Sequence, residues 1–180
     1  MLKPVLYKES MAIPLQRKFL GDKEYADALE VFVNVCADCV LINQKNRTFY
    51  LAKRRSKPRS DWWFIGGRMF AGEEELSSVR RCIKRETGLD INLERFRFLD
   101  MKRYFWKDRQ QAPQDIGCGS LCYIFGVFVT EEEVAIASAN LDKEEYDAEL
   151  GLKEFGVEEL AELEKGIFSP ITDLYESVFP

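Results

Sequence analysis

Apolar stretches and polar breaks alternate along the chain and set its elements before any chemistry is considered. Val31 to Asn43 is rich in Val, Cys and Phe and reads as a buried strand. Gln44-Lys45-Asn46-Arg47 is a polar turn, and Thr48 to Lys53 returns as a second strand. Asp61 to Ile65 is a short aromatic strand ended by Gly66-Gly67. Phe96 to Trp106 and Gly119 to Thr130 read as two long strands joined by the polar loop Lys107 to Ile116, which contains Pro113. Tyr146 to Phe155 offers another strand.

Helical spacing is clearest over Glu73 to Thr87, where Leu76, Val79, Ile83 and Thr87 fall on one side. Gly88 is its natural stop, because glycine accepts the left-handed conformation just past a helix end. Glu73, Glu74 and Glu75 sit at its positive N-terminal end, where acids are favoured. Gly21 to Glu30 forms a short lead-in helix, and Val157 to Glu164 and Pro170 to Phe179 two late ones. The last has Ser169 as N-cap and Pro170 at the first helical position. Helices bracketing a mostly β middle predict an α/β (α+β) fold, a mixed sheet between helices. With no repeat or linker, residues 1–180 are expected to form a single domain.

Composition narrows the chemistry. The chain is 46% apolar and 32% charged, and no apolar run approaches the roughly 20 residues of a membrane span. Met1 to Leu20 lacks a continuous apolar core, so no secretory signal is expected. The five cysteines are odd in number and lie mostly in apolar runs, as suits reduced thiols in a cytoplasm. A net charge of −5 argues against general nucleic-acid binding. The basic run Lys53 to Arg59 is either a local anion site or a solvated loop. The absence of histidine removes the commonest general base and the commonest transition-metal ligand. Oxygen-ligated Mg²⁺ is then the metal to expect.

The segment from Gly67 to Leu89 resembles the Nudix box, G-x5-E-x7-R-E-U-x-E-E-x-G-U, where U is a bulky aliphatic. It matches at Gly67, Glu73, Arg81, Ile83, Glu86, Gly88 and Leu89, and departs at Cys82 and Arg85, where the family has glutamates. Trp63-Phe64-Ile65-Gly66-Gly67 is similar to the usual run into the box. The likeness extends from about Leu29 to Phe155 and leaves residues 1–20 as an N-terminal extension. It implies a Nudix-type α/β/α sandwich. Helical spacing puts residues 82, 85 and 86 on one face. There a thiol, a guanidinium and one carboxylate replace three carboxylates that gather cations, which leaves room for one Mg²⁺ and favours anions.

The same departures resemble the GDP-mannose mannosyl hydrolase branch, which cleaves at the sugar carbon with one Mg²⁺ and several arginines. That resemblance implies a nucleoside-diphosphate substrate, gripped at Asp38, Arg54, Arg68, Arg81 and Arg85. It implies metal ligation by the Gly66 carbonyl, Glu86 and Glu149, with Arg68, Arg81 and Glu149 catalytic, and it allows a homodimer. Arg81 is also expected to pair with Glu73, and Arg55 competes with Arg54. The branch's base is a histidine, and Leu150 stands at that position. Glu149, Asp147, Glu145 and Tyr146 are the substitutes to consider. Two other readings stay open: a non-catalytic nucleotide sensor, and a pyrophosphohydrolase attacking phosphorus. Cys36-Ala-Asp-Cys39 on a strand points its thiols to opposite faces, so core packing is expected over zinc binding. Trp62, Trp63 and Tyr104-Phe105-Trp106 divide between core and ring stacking.

Overall fold

The structure, a computed structural model, describes residues 5–8, 18–165 and 170–180. At its centre is a mixed sheet of β1 (Asn34–Asn43), β2 (Thr48–Lys53), β3 (Trp62–Trp63), β4 (Ile65–Arg68), β5 (Arg97–Trp106), β6 (Cys118–Phe128) and β7 (Leu152–Phe155). The main path runs β3-β2-β1-β6-β5, with β4 beside β1 and β7 beside β2. β1 and β6 are parallel from Asn34–Ser120 to Ile42–Phe128. The other pairings are antiparallel. Five α-helices flank the sheet among the described residues: α1 (Asp22–Val31), α2 (Glu75–Thr87), α3 (Glu131–Ala139), α4 (Val157–Leu163) and α5 (Pro170–Val178).

The two-residue period of β1 divides the core into two layers. Ala37, Cys39 and Leu41 meet Val79 and Ile83 of α2 and Ala137 of α3 on one face. Val40 and Ile42 pack with Ile124 against Leu160 of α4 and Ile171 and Leu174 of α5 on the other. Each fully buried aliphatic of this kind contributes about 1.5–3 kcal/mol of transfer free energy. Cys39 joins the first layer and Cys36 lies against the second, as the strand alternation requires. The result is the expected α/β/α sandwich with a mixed sheet.

Several boundaries differ from the sequence reading. The strand begun at Asp61 does not end at Gly66-Gly67: it breaks at Phe64, and β4 continues through both glycines because β1 holds them. α2 starts at Glu75, since Glu73 turns back to accept from the Phe70 amide at 3.0 Å. Tyr146 makes an isolated antiparallel bridge to Arg54, the chain then turns through to Gly151 at φ 61°, and Leu152–Phe155 resumes as strand. α3 is an additional helix, opened by a capping box in which Thr130 and Glu133 exchange bonds of 3.2 and 2.9 Å. The Ser169 cap lies outside the described residues.

Candidate functional site

Two glycines shape the site. β4 runs antiparallel to β1 with Gly66 opposite Asp38 and Gly67 opposite Ala37. A Cβ on Gly66 would lie 2.6 Å from the Asp38 Cα and 2.7 Å from the Ala37 carbonyl, so any side chain would force the strands apart. A Cβ on Gly67 would look onto Cys82 Sγ at 3.5 Å, Arg85 Nη2 at 3.7 Å and Glu86 Oε1 at 3.9 Å. The polar edge of α2 therefore approaches the sheet where its backbone is bare.

Beside this junction lies a cleft of about 320 Å³. Its lining carries five cationic side chains, Arg54, Lys57, Arg68, Arg85 and Arg109, against two acidic ones, Asp38 and Glu145. Three of the expected arginines thus arrive at one cavity from the end of β2, from β4 and from α2. The Arg54 guanidinium donates to Ser56 Oγ at 3.0 Å and stands 3.7 Å from Glu145, while its buried Nε has no hydrogen-bond partner. Arg68 stacks over the Tyr25 ring at 4.4 Å. Trp63, Phe64 and Trp106 supply aromatic wall, and the Trp106 indole is fixed by donating to Ser120 Oγ at 2.9 Å.

Asp38 lies in this cleft, 7% exposed. Burial pushes its pKa up to about 7, against the nearby positive charge of Arg54. It is a carboxyl poised to exchange a proton near neutrality.

Glu86 lies below the cleft rather than in its lining, and is 1% exposed. One oxygen accepts the Arg85 guanidinium, and the other accepts the Tyr146 hydroxyl at 2.5 Å. Burial raises its pKa, while Tyr146 and Arg85 pull it down. Cys82, buried beside it, has its thiol pushed up to about 12, chiefly by burial, and stays protonated.

The remaining expected residues are not drawn into the cleft. Arg81 grips Glu73 with Nε at 2.7 Å and Nη2 at 2.8 Å, and also donates to the Arg68 carbonyl at 2.9 Å. That guanidinium braces the loop between β4 and α2 and is absent from the cleft lining. Glu149 is exposed in the turn before β7, as is Leu150, and Glu145 stands in the cleft instead. Asp147 pairs with Arg55 at 3.3 Å, outside the lining. Trp63 and Tyr104 are core, and Phe105 is exposed.

Tyr25, Lys57 and Arg109 line the cleft without having been singled out as ligands from sequence. Arg109 is 1% exposed, and from the loop between β5 and β6 it reaches the Ala26 carbonyl at 3.2 Å and Glu30 at 2.8 Å on α1. Arginine in a polar loop is normally solvated, so no sequence signal marked it.

A Mg²⁺ ion needs about six oxygen ligands. Both oxygens of Glu86 are engaged, and the described residues contain no group of three or more His, Cys, Asp or Glu able to hold a metal. The donor set on this face does not fit a protein-held divalent ion. No step is therefore assigned to one.

Residues 33–173 match the family model for the NUDIX domain. The chain belongs to the Nudix hydrolase family. Solved structures agree on the fold. A MutT Nudix hydrolase from Burkholderia pseudomallei is 14% identical with a TM-score of 0.57, over 82% of this chain and 98% of that one. The E. coli dihydroneopterin triphosphate pyrophosphohydrolase is 16% identical with a TM-score of 0.53, over 80% and 94%. Shewanella oneidensis NrtR, solved with a 27mer DNA, is 14% identical with a TM-score of 0.53, over 79% and 59%. At such identities the likeness fixes the Nudix fold, and the task must be argued from the site. Among the described residues no helix is long and apolar enough to cross a membrane.

Proposed function

We propose that this Nudix hydrolase cleaves a nucleoside-diphosphate-linked substrate, with a nucleotide sugar such as GDP-mannose as the class to test first. The observation that supports this is the convergence of Arg54, Arg68 and Arg85 on one aromatic-walled cleft. Guanidinium groups make paired hydrogen bonds to phosphate oxygens, and Trp106 or Tyr25 offers a ring face for a base. Cleavage at the sugar carbon forms a bond from water oxygen to carbon. It breaks the bond from carbon to the diphosphate oxygen, which leaves with the electron pair. The arginines stabilise that departing charge. Asp38, with its pKa near 7, is the group we assign to accept the water proton. Divalent metal is the usual cofactor of the family. Here any Mg²⁺ requirement would have to come from the substrate's own phosphates rather than from a protein ligand set.

The test is a panel of nucleoside-diphosphate sugars, with Mg²⁺ and with EDTA, scoring free sugar and sugar phosphate separately. Free sugar is expected. Sugar phosphate would replace carbon attack with phosphorus attack. Tight binding with no turnover would favour a second reading, a nucleotide sensor, which the engagement of both Glu86 oxygens supports.

A further inference from the structure

Arg85 and Glu86 are consecutive on α2, yet the Arg85 guanidinium folds back onto the Glu86 carboxylate. The two differ sharply in environment: the Glu86 side chain is 1% exposed and that of Arg85 49%. The carboxylate is thus sealed, while the cation covering it reaches the cleft. Tyr146 closes the other side of Glu86 from within the core. The two acidic side chains of the cleft, Asp38 and Glu145, already face the Arg54 guanidinium. An incoming divalent ion would have to displace a covalently tethered guanidinium and sit near Arg54 and Arg68. Arginine, unlike a metal ion, also has planar donors left over after pairing with one carboxylate oxygen.

We propose that Arg85 is a built-in cation occupying the place where a divalent metal would neutralise Glu86, and that it presents its free N–H groups past Gly67 to the substrate diphosphate. Diphosphate is then bound without a metal held by the protein. This rests on the reading that the cleft takes a diphosphate, but its test does not depend on turnover. Gly67 is part of the arrangement, because its bare backbone leaves Arg85 and Glu86 uncovered where a Cβ would lie in contact with both, at 3.7 and 3.9 Å.

The experiment has two binding arms on the full chain. In the first, Mn²⁺ is titrated without nucleotide and followed by its electron paramagnetic resonance signal. Wild type is expected to leave Mn²⁺ free, while Arg85→Glu, which restores a carboxylate beside Glu86, binds it at least about ten-fold more tightly. In the second, GDP is titrated calorimetrically in EDTA. Wild type is expected to bind, and Arg85→Gln to weaken binding about ten- to a hundred-fold, the worth of a charge-assisted hydrogen bond. Wild type that takes up Mn²⁺ as well as Arg85→Glu would overturn the proposal. So would a folded Arg85→Glu that leaves Mn²⁺ free, GDP binding that requires Mg²⁺, or an unchanged GDP affinity in Arg85→Gln. If circular dichroism shows Arg85→Glu unfolded, the neutral Arg85→Gln decides through the GDP arm. A sugar-nucleotide panel without turnover, alongside the expected GDP and Mn²⁺ results, would remove the hydrolytic reading and keep this one.

Discussion

The Tyr146 hydroxyl donates to the Glu86 carboxylate at 2.5 Å, tying the turn before β7 to the last turn of α2. The tyrosine is 2% exposed, and burial holds its pKa well above the ordinary value, so it is no general base at neutral pH. Removing the hydroxyl leaves a buried carboxylate oxygen without its donor. Tyr146→Phe is therefore expected to cost about 1–3 kcal/mol of stability. Urea unfolding checks this, and an unchanged midpoint would show that the bond contributes nothing net.

Arg81 and Arg68 separate bracing from binding. Arg81 spends its guanidinium on Glu73 and on the Arg68 carbonyl, and lies 3.9 Å over the Phe70 ring. Lysine copies neither the fork nor the stacking, so Arg81→Lys should cost about 1–3 kcal/mol of stability. Arg68 lines the cleft and stacks on Tyr25, so Arg68→Lys should cost at most about 1 kcal/mol while lowering kcat on the active nucleotide sugar. Paired unfolding and steady-state measurements on both variants would refute this division if the two effects were exchanged.

Arg109 ties the loop between β5 and β6 to α1 through Ala26 and Glu30. Arg109→Met keeps the apolar stem and removes those bonds. Because Glu30 is half exposed and regains water, the loss should be moderate, about 1–2 kcal/mol. Faster amide exchange is expected over residues 22–31 and 107–116 and not in α2. Exchange unchanged in α1 would mean that the arginine does not hold the helix.

The main strands and the box helix were legible because their signals are local: a continuous apolar run in β1, helical spacing in α2, and a glycine just past the helix end. α3 opens on three acids, Glu131 to Glu133, and its sequence signal is the cap pairing Thr130 with Glu133 rather than an apolar stripe at helical spacing. Arg54 and Arg68 were named through the resemblance to the GDP-mannose mannosyl hydrolase branch, and Arg85 through its place in the box, and all three line the cleft. Glu149 could not be placed because the chain turns between Tyr146 and Gly151 instead of extending, so a strand register carried back from Phe155 points the wrong residue at the cleft. The sealing of Glu86 depends on Tyr146, sixty residues away, and on a rotamer of Arg85; neither leaves a trace in the sequence.

Asp38 links stability and activity through one proton. Its pKa is about 7 in the folded protein against about 3.9 in an unfolded chain, so the folded state binds the proton more tightly. By linkage, stability is unaffected by this group below the unfolded value, where both states are protonated. It falls as pH rises towards 7, because the carboxylate must then be held ionised in a buried site. Asp38→Asn removes that penalty. Relative to the variant, wild type should lose roughly 2–3 kcal/mol between about pH 5 and about pH 8. The same variant should lack the rise in kcat/KM through about pH 7 that a proton-accepting Asp38 gives wild type, leaving a protein that is more stable at high pH and inactive. Urea unfolding at the two pH values and a pH–rate profile test the two halves separately. Parallel stability curves would mean that the carboxyl titrates normally, and a retained rise in rate would move the proton-accepting role from Asp38 to Glu145, the other carboxylate in the cleft.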